Sequence, residues 1–212
     1  MIGVDEAGRG PVLGPLVVAA VKSWDDEALA DIGVRDSKRL SPGRRKCLYQ
    51  SIVACCDISI VRTDAREIDS LRSKMSLNQI EMEMAAKSIS GLDHRDEDVF
   101  IDCFDVNEDR LARELTSFLV CREVIARHKA DETFPCVSAA SIVAKVNRDS
   151  AISHLDELSQ ERWGVSIGSG YPSDPATCRF LEFIDESGEE MPFFVRRSWK
   201  TVGRFRQLKL DL

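Results

Sequence analysis

Four acidic residues stand where a chain seldom puts acid. Asp5 and Glu6 follow the short apolar run Ile2-Gly3-Val4. Asp102 lies among Val99, Phe100, Ile101 and Cys103, and Asp131 follows the strand-like run Val120 to Ala126. A carboxylate among apolar neighbours is expensive to bury unless something pairs with it. A divalent cation is the obvious partner, because carboxylates gathered together otherwise repel. Carboxylates are hard oxygen ligands, suited to Mg²⁺ or Mn²⁺. Two such ions about 3.5–4 Å apart activate a water and stabilise the leaving oxygen of a phosphodiester. Strand geometry adds a condition. Neighbours in a regular strand point to opposite faces, so Asp5 and Glu6 share a site only if the strand twists or ends there.

The chain then runs through Gly8-Arg9-Gly10-Pro11, which is too rich in glycine to continue a strand. Bare backbone of this kind lets main-chain groups approach a ligand closely. A strand ending in acid before such a loop suits a metal ion beside a phosphate. The plain alternative is a polar turn with a solvated Asp-Glu pair.

Of the elements that carry these residues, Ile2 to Val4 and Leu16 to Val21 read as strands. Ser41-Pro42 opens a helix running to about Ala54, with serine as N-cap and proline in the first turn. Asp57 to Arg62 alternates as a strand. Ser76-Leu77-Asn78-Gln79 fits a capping box, and Leu77, Ile80 and Met84 give its helix one apolar stripe. A strand over Val99 to Phe104, a helix over Asn107 to Leu119 and a strand over Val120 to Ala126 follow. A long helical region opens near Pro135, and its small residues suit close packing on a sheet. Gly168-Ser169-Gly170-Tyr171-Pro172 is a turn. Asp174-Pro175 starts a helix with Phe180, Leu181 and Ile184 on its apolar face, and Gly188 ends it. Neighbouring strands followed by strands alternating with helices imply an α/β fold, a mixed sheet flanked by helices.

The composition fits this. A chain of 212 residues with 43% hydrophobic and 31% charged residues suits one soluble globular domain, here 1–190 with a basic appendage over 191–212. The longest apolar run, Val12 to Val21, contains Gly14 and Pro15 and is too short to span a bilayer. The seven cysteines show no CxxC spacing and their number is odd, which argues against a zinc cage or a full disulfide framework. They read as small buried thiols in a reducing cytoplasm. The net charge of −7 argues against a generally basic nucleic-acid surface. From Val195 onward, however, Arg196, Arg197, Lys200, Arg204, Arg206 and Lys209 face one acid, Asp211. That segment is either an electrostatic handle for phosphates or a solvated last helix.

These segments together resemble ribonuclease HII, the type 2 ribonuclease H family in its archaeal and eukaryotic form. The resemblance rests on Gly3-Val4-Asp5-Glu6-Ala7-Gly8-Arg9-Gly10, Asp36-Ser37-Lys38 with Leu40-Ser41, Ile101-Asp102 and His128-Lys129-Ala130-Asp131. It continues through Val137 to Lys145, Gly168 to Pro175 and Trp199-Lys200-Thr201. It implies an RNase H-like fold and a metal-dependent endoribonuclease that cuts the RNA strand of RNA–DNA hybrids and cleaves at ribonucleotides embedded in duplex DNA. It implies Asp5, Glu6, Asp102 and Asp131 as catalytic ligands of Mn²⁺ or Mg²⁺. It further implies that Gly8, Arg9 and Gly10 read the ribose 2′-hydroxyl and adjoining phosphate, and that Tyr171 stacks on the following deoxyribose. Lys38 and Lys129 join these as substrate contacts. Phe134, where the family often has tyrosine, and Cys103 depart from the pattern without removing a functional group.

Plainer roles stand beside these. Arg9, Lys38, Lys129 and Lys145 also fit solvated side chains, with a structural role favoured for Lys145. Tyr171 also fits a cover over a helix start, and His128 a structural or gating group. Gly164-Val165-Ser166-Ile167-Gly168 matches the nucleophile elbow of serine hydrolases, but His94, His128 and His154 all precede Ser166, the reverse of that fold's order. A resolvase- or integrase-like nuclease and a non-catalytic nucleic-acid-binding module are the other readings. Four carboxylates along a phosphate path would weaken the latter's binding. Finally, Gln207-Leu208-Lys209-Leu210-Asp211-Leu212 resembles a truncated form of the peptide by which replication proteins dock on the sliding clamp. Leu212 stands where the usual closing aromatic pair would be. The rest of the reading is a monomer with no membrane partner.

Overall fold

The computed structural model describes residues 1–34 and 40–207, with backbone alone for 204–207. The elements in chain order are β1 (Ile2–Ala7), β2 (Leu16–Lys22), α1 (Asp26–Asp31), α2 (Pro42–Cys55), β3 (Asp57–Thr63), α3 (Ala65–Arg72), α4 (Leu77–Ser90), β4 (Asp98–Asp102), α5 (Glu108–Thr116), β5 (Glu123–Arg127), α6 (Ala130–Thr133), α7 (Pro135–Trp163), α8 (Pro175–Ser187) and α9 (Lys200–Gln207). They divide into two units, each drawn from separate stretches. The first holds Met1–Ala7, Val17–Arg62 and Ser76–Asn147, and the second Gly8–Leu16, Thr63–Met75 and Arg148–Leu212.

The first unit is built on a mixed sheet in the order β3-β2-β1-β4-β5. β1 pairs antiparallel with β2 and parallel with β4, and β4 pairs parallel with β5. The mixed sheet flanked by helices matches the fold class expected from the sequence. β2 is buried along its whole length, as expected of a strand covered on both faces. Alternate residues Val17, Ala19 and Val21 join Leu48 and Ile52 of α2 and the small-residue face of α7, including Val137, Ala140 and Ala144. β1 and α7 approach so closely that a Cβ on Gly3 would overlap the backbone of Cys136 and Val137. Gly3 is therefore required by space, whatever its φ.

Local chemistry sets the helix starts. Ser41 accepts from Arg44 N–H at 3.3 Å ahead of Pro42. Ser76 and Gln79 close a capping box, with Ser76 N–H donating to Gln79 Oε1 at 2.8 Å. Asp174 caps α8, and Gly188 ends it with φ 72°.

The second unit packs Val12 and Leu13 with Ile152 and Leu155 of α7, Ile167, Phe180, Leu181 and Ile184 of α8, and Phe194 and Val195. Phe180 sits between Trp163 and Phe194, with centroids 5.9 and 5.7 Å away.

Three expectations need correction. β1 does not stop at Val4 but stays paired through Ala7. The cysteines are free thiols, but only Cys136 is buried, while Cys47 and Cys55 are exposed. Arg196 is no solvated tail residue, for it is fully buried. Among the described residues no helix is long and apolar enough to cross a membrane.

Candidate active site

The sheet register creates the acidic cluster. β1 and β4 run parallel with Val4 opposite Ile101, so the next step along each strand places Asp5 beside Asp102 at their C-terminal ends. β5 ends opposite Asp102 at Arg127. The chain then turns through His128 and Lys129 into α6, which carries Asp131, buried like Asp5. Lys129 adopts φ 59° and ψ 37°, the one described non-glycine residue with positive φ. This turn directs the Ala130 N–H to Asp102 Oδ1 at 2.8 Å. Cys103 N–H donates to Arg127 O at 2.9 Å, and the His128 ring stands 3.2 Å from Cys103 O. His128 thus ties the two strand ends together, in line with a structural role.

Asp5 is 5% exposed. Burial and the neighbouring Asp102 charge push its carboxyl up to about 7, against the opposing effects of Ser141, Lys145 and the Glu6 N–H. That N–H donates to Asp5 Oδ1 at 2.7 Å, and Lys145 Nζ donates to Ser141 Oγ at 2.6 Å. Ser141 and Lys145 are one helical turn apart on α7, so a hydroxyl and an ammonium act on Asp5 from one face. Sequence reasoning gave Lys145 a structural role. The i,i+4 spacing of serine and lysine in a small-residue helix is the signal that would have found it.

The continuous β1 leaves Asp5 and Glu6 in regular strand, on opposite faces by its alternation. The register sets Asp5 beside Asp102, a hydrogen bond ties Asp102 to the segment of Asp131, and Glu6 is the half-buried neighbour of Asp5 on β1. Among the described residues no three His, Cys, Asp or Glu side chains close into a metal-holding group. The donor chemistry nevertheless fits a hard divalent cation. The candidate ligands are all carboxylates, and buried Asp5 feels the charge of Asp102, the repulsion a cation relieves.

The proposed reading elements belong to the second unit. Gly8 has φ 96°, and a Cβ there would meet Arg148 Cδ at 2.9 Å. Arg9 O accepts from Arg196 Nη1 at 3.3 Å. Val12 N–H donates to Gly170 O at 2.8 Å, which joins the glycine loop to the turn before Tyr171. A Cβ on Gly10 would stand 3.7 Å from Tyr171 Cε1. Tyr171 is 40% exposed, and the Arg148 guanidinium lies 5.0 Å from its ring centre. Asp174 Oδ2 fixes the turn by accepting from Ser169 N–H at 2.7 Å and Ser169 Oγ at 2.6 Å. These bonds hold the Asp174 carboxyl below its usual range. Lys129 is exposed, and Lys38 lies outside the described residues. Ser166 donates to Asp156 Oδ1 at 2.7 Å and so fixes a turn, and among the described residues it bonds to no histidine.

The sequence pattern of the family described as Ribonuclease HII matches residues 2–202. The Ribonuclease HII of Thermococcus kodakarensis is 43% identical over 208 residues, covering 97% of this chain and 89% of its own. Among solved structures, the PCNA:RNase HII complex from Archaeoglobus fulgidus contains a chain with TM-score 0.88 and 41% identity, covering 99% of this chain and 98% of that one. The ribonuclease H2 from Pyrococcus horikoshii OT3 gives TM-score 0.89 and 38% identity, covering 100% and 99%.

Proposed function

The chain belongs to the ribonuclease HII family, and from that premise we propose how its residues perform the cleavage of RNA in RNA–DNA hybrids. The observation that carries the reading is the placement of Asp5 and Asp102 at adjacent parallel strand ends, with the segment of Asp131 bonded to Asp102. Asp5, Asp102 and Asp131, with Glu6 beside them, would hold Mg²⁺ or Mn²⁺. When bound, such cations supply Lewis-acid activation of a water and charge stabilisation at the leaving oxygen. Asp102 is oriented for this by the Ala130 N–H, and Asp5 by the Glu6 N–H. The Ser141–Lys145 pair supplies a hydrogen bond and positive charge that favour ionised Asp5.

Gly8-Arg9-Gly10 would read the ribose 2′-hydroxyl and phosphate through its backbone, and Tyr171 would stack on the next sugar. With this reader the enzyme would also cut at single ribonucleotides within duplex DNA. A resolvase- or integrase-like enzyme has no use for a 2′-hydroxyl reader. The decisive test is a gel assay on an all-DNA duplex, a hybrid and a duplex with one ribonucleotide, with and without Mg²⁺ or Mn²⁺. Metal-dependent cutting confined to the two ribonucleotide-containing substrates is expected. Cutting of the all-DNA duplex, or cutting that survives full chelation, would overturn the reading.

We further propose a monomer in the cytoplasm, where its free thiols stay reduced. The similarity to the chain in the PCNA:RNase HII complex favours a clamp-docking role for Gln207 to Leu212. The side chains of that segment lie outside the described residues.

A further inference from the structure

Two arginines of the second unit are buried without a salt-bridged carboxylate among the described residues, with only the more distant charges of Asp149 acting on Arg148 and of Asp69 on Arg196. Arg196 is 0% exposed and Arg148 5%. Among the described residues neither takes part in an ion pair. Their acceptors are main-chain carbonyls. Arg196 Nε donates to Gly14 O at 2.9 Å and its Nη1 to Arg9 O at 3.3 Å, while Arg148 Nη2 donates to Ser169 O at 2.9 Å. Arg148 Nε and Arg196 Nη2 are enclosed without a protein acceptor. Burial, then the like charge of Arg148, lowers the Arg196 pKa to about 9.

Such an arrangement is costly. Where a site needs only bulk, an apolar side chain of similar volume fills it at least as well. What the two guanidiniums touch therefore indicates their use. Arg196 holds the carbonyl of Arg9, the middle of the glycine loop, and lies 4.8 Å from the Trp199 ring centre. Arg148 fills the space that a Gly8 side chain would need, reaches the carbonyl two residues before Tyr171 and lies over the Tyr171 ring.

We infer that Arg148 and Arg196 are positioning residues for nucleic-acid recognition: they lock the Gly8-Arg9-Gly10 backbone and the Tyr171 ring into one arrangement and keep positive charge that no salt bridge ties up beside them for a phosphodiester. The inference rests on the reading of that loop and of Tyr171 given above.

The test uses the full chain carrying Asp102→Asn, so that binding is measured without turnover. Arg148→Met, Arg196→Met, Arg148→Lys and Arg196→Lys are compared with this parent. Affinities are measured across salt concentration for a duplex with one ribonucleotide and for the all-DNA duplex, alongside thermal melts. Each Met variant is expected to melt no lower than the parent. Its slope of log affinity against log salt should fall by about 1. Its preference for the ribonucleotide duplex should drop about tenfold, the scale of one lost stacking contact. Each Lys variant should keep the slope and lose the preference, since an ammonium cannot span the carbonyl and the ring as a planar fork does.

A folded Met variant with the parent's slope and preference overturns the assignment. So does a folded Lys variant with the parent's preference. If the Met variants fail to fold, the Lys variants decide, and Lys variants that also fail to fold mark the arginines as purely structural. A parent that does not distinguish the two duplexes overturns the recognition reading itself, an outcome separate from the failure of the arginine assignment alone.

Discussion

The N–H of Ala130 donates to Oδ1 of Asp102 at 2.8 Å, so the start of the short helix carrying Asp131 is fastened to the end of the strand carrying Asp102. The fastening depends on Lys129, whose positive φ turns the chain from β5 into α6.

The first prediction concerns that carboxylate. Asp102→Asn keeps an oxygen to accept from Ala130 and removes the charge that would hold a cation. Melting should be unchanged, and cleavage of a hybrid should fall to background. A purified variant that cuts at close to the wild-type rate would show that Asp102 holds no catalytic metal.

Lys129 gives a second test. A left-handed conformation costs an L-residue about 1–2 kcal/mol, while glycine costs about 0.5–1 kcal/mol through its freer unfolded chain. Lys129→Gly should therefore be as stable as wild type or slightly more so. Lys129→Val, whose branched Cβ suits this backbone least, should lose about 1 kcal/mol or more. Urea unfolding measures both, and equal stability of the two variants would contradict the strained turn.

Tyr171→Ala should harm cleavage of a single embedded ribonucleotide more than cleavage of a continuous hybrid. A stacked ring is worth about 1–3 kcal/mol, and a continuous hybrid offers other registers that compensate. Parallel rate measurements on the two substrates decide the matter, with equal losses counting against junction reading.

Acid stability tests the segment just after Asp102. Asp105 accepts from Arg110, from Asn107 N–H at 2.9 Å and from Asn78 at 2.9 Å. Arg110 foremost holds its carboxyl at about 2, against about 3.9 in an unfolded chain. The folded pKa is depressed, so the stabilisation is fully present above the unfolded value and is lost as pH falls toward the folded one. The stability advantage of wild type over Asp105→Asn should be constant at neutral pH and shrink between about pH 4 and pH 2. Urea titrations along this range provide the check, and a gap that widens in acid would contradict the pairing.

Deleting Gln207 to Leu212 should leave cleavage of free oligonucleotides unchanged and remove any stimulation by a sliding clamp. Calorimetry of the full chain against its own clamp at low salt should detect weak binding, because leucines bury less area than an aromatic pair would. No heat even at high protein concentration would end the clamp reading.

Much of the fold was legible because its signals are local. Ser41-Pro42, the Ser76–Gln79 box and Asp174-Pro175 each carry their own cap, and all three helices begin there. Helices α1 and α3 were missed although Asp25 and Asp64 cap them. They are short, and their charged sequences give little periodicity to read. The acids of the site were legible as acids out of place, Asp102 above all. Their grouping was not, since it depends on pairing residues nearly a hundred positions apart. Arg196 read only as one charge of a basic tail, and Arg148 carried no signal at all, because composition says nothing about which carbonyl a guanidinium reaches. For Glu6 the condition stated from strand alternation stands beside the observation that β1 stays paired through Ala7.

The position of β1 also bears on how the chain acquires its structure. The first of the five strands in chain order lies third in the sheet order, and one of its neighbours, β4, pairs Ile2 with Val99. β2 can join β1 early as an antiparallel hairpin partner, but the other edge of β1 waits for a strand that follows only after four helices and β3. Loop-closure entropy makes such a distant parallel pairing slow. During that wait, the edge bearing Asp5 is open to pairing with other chains. The carboxylate pair and the closed sheet should therefore form in the same late step, so that a partly folded chain offers a metal no Asp5–Asp102 site.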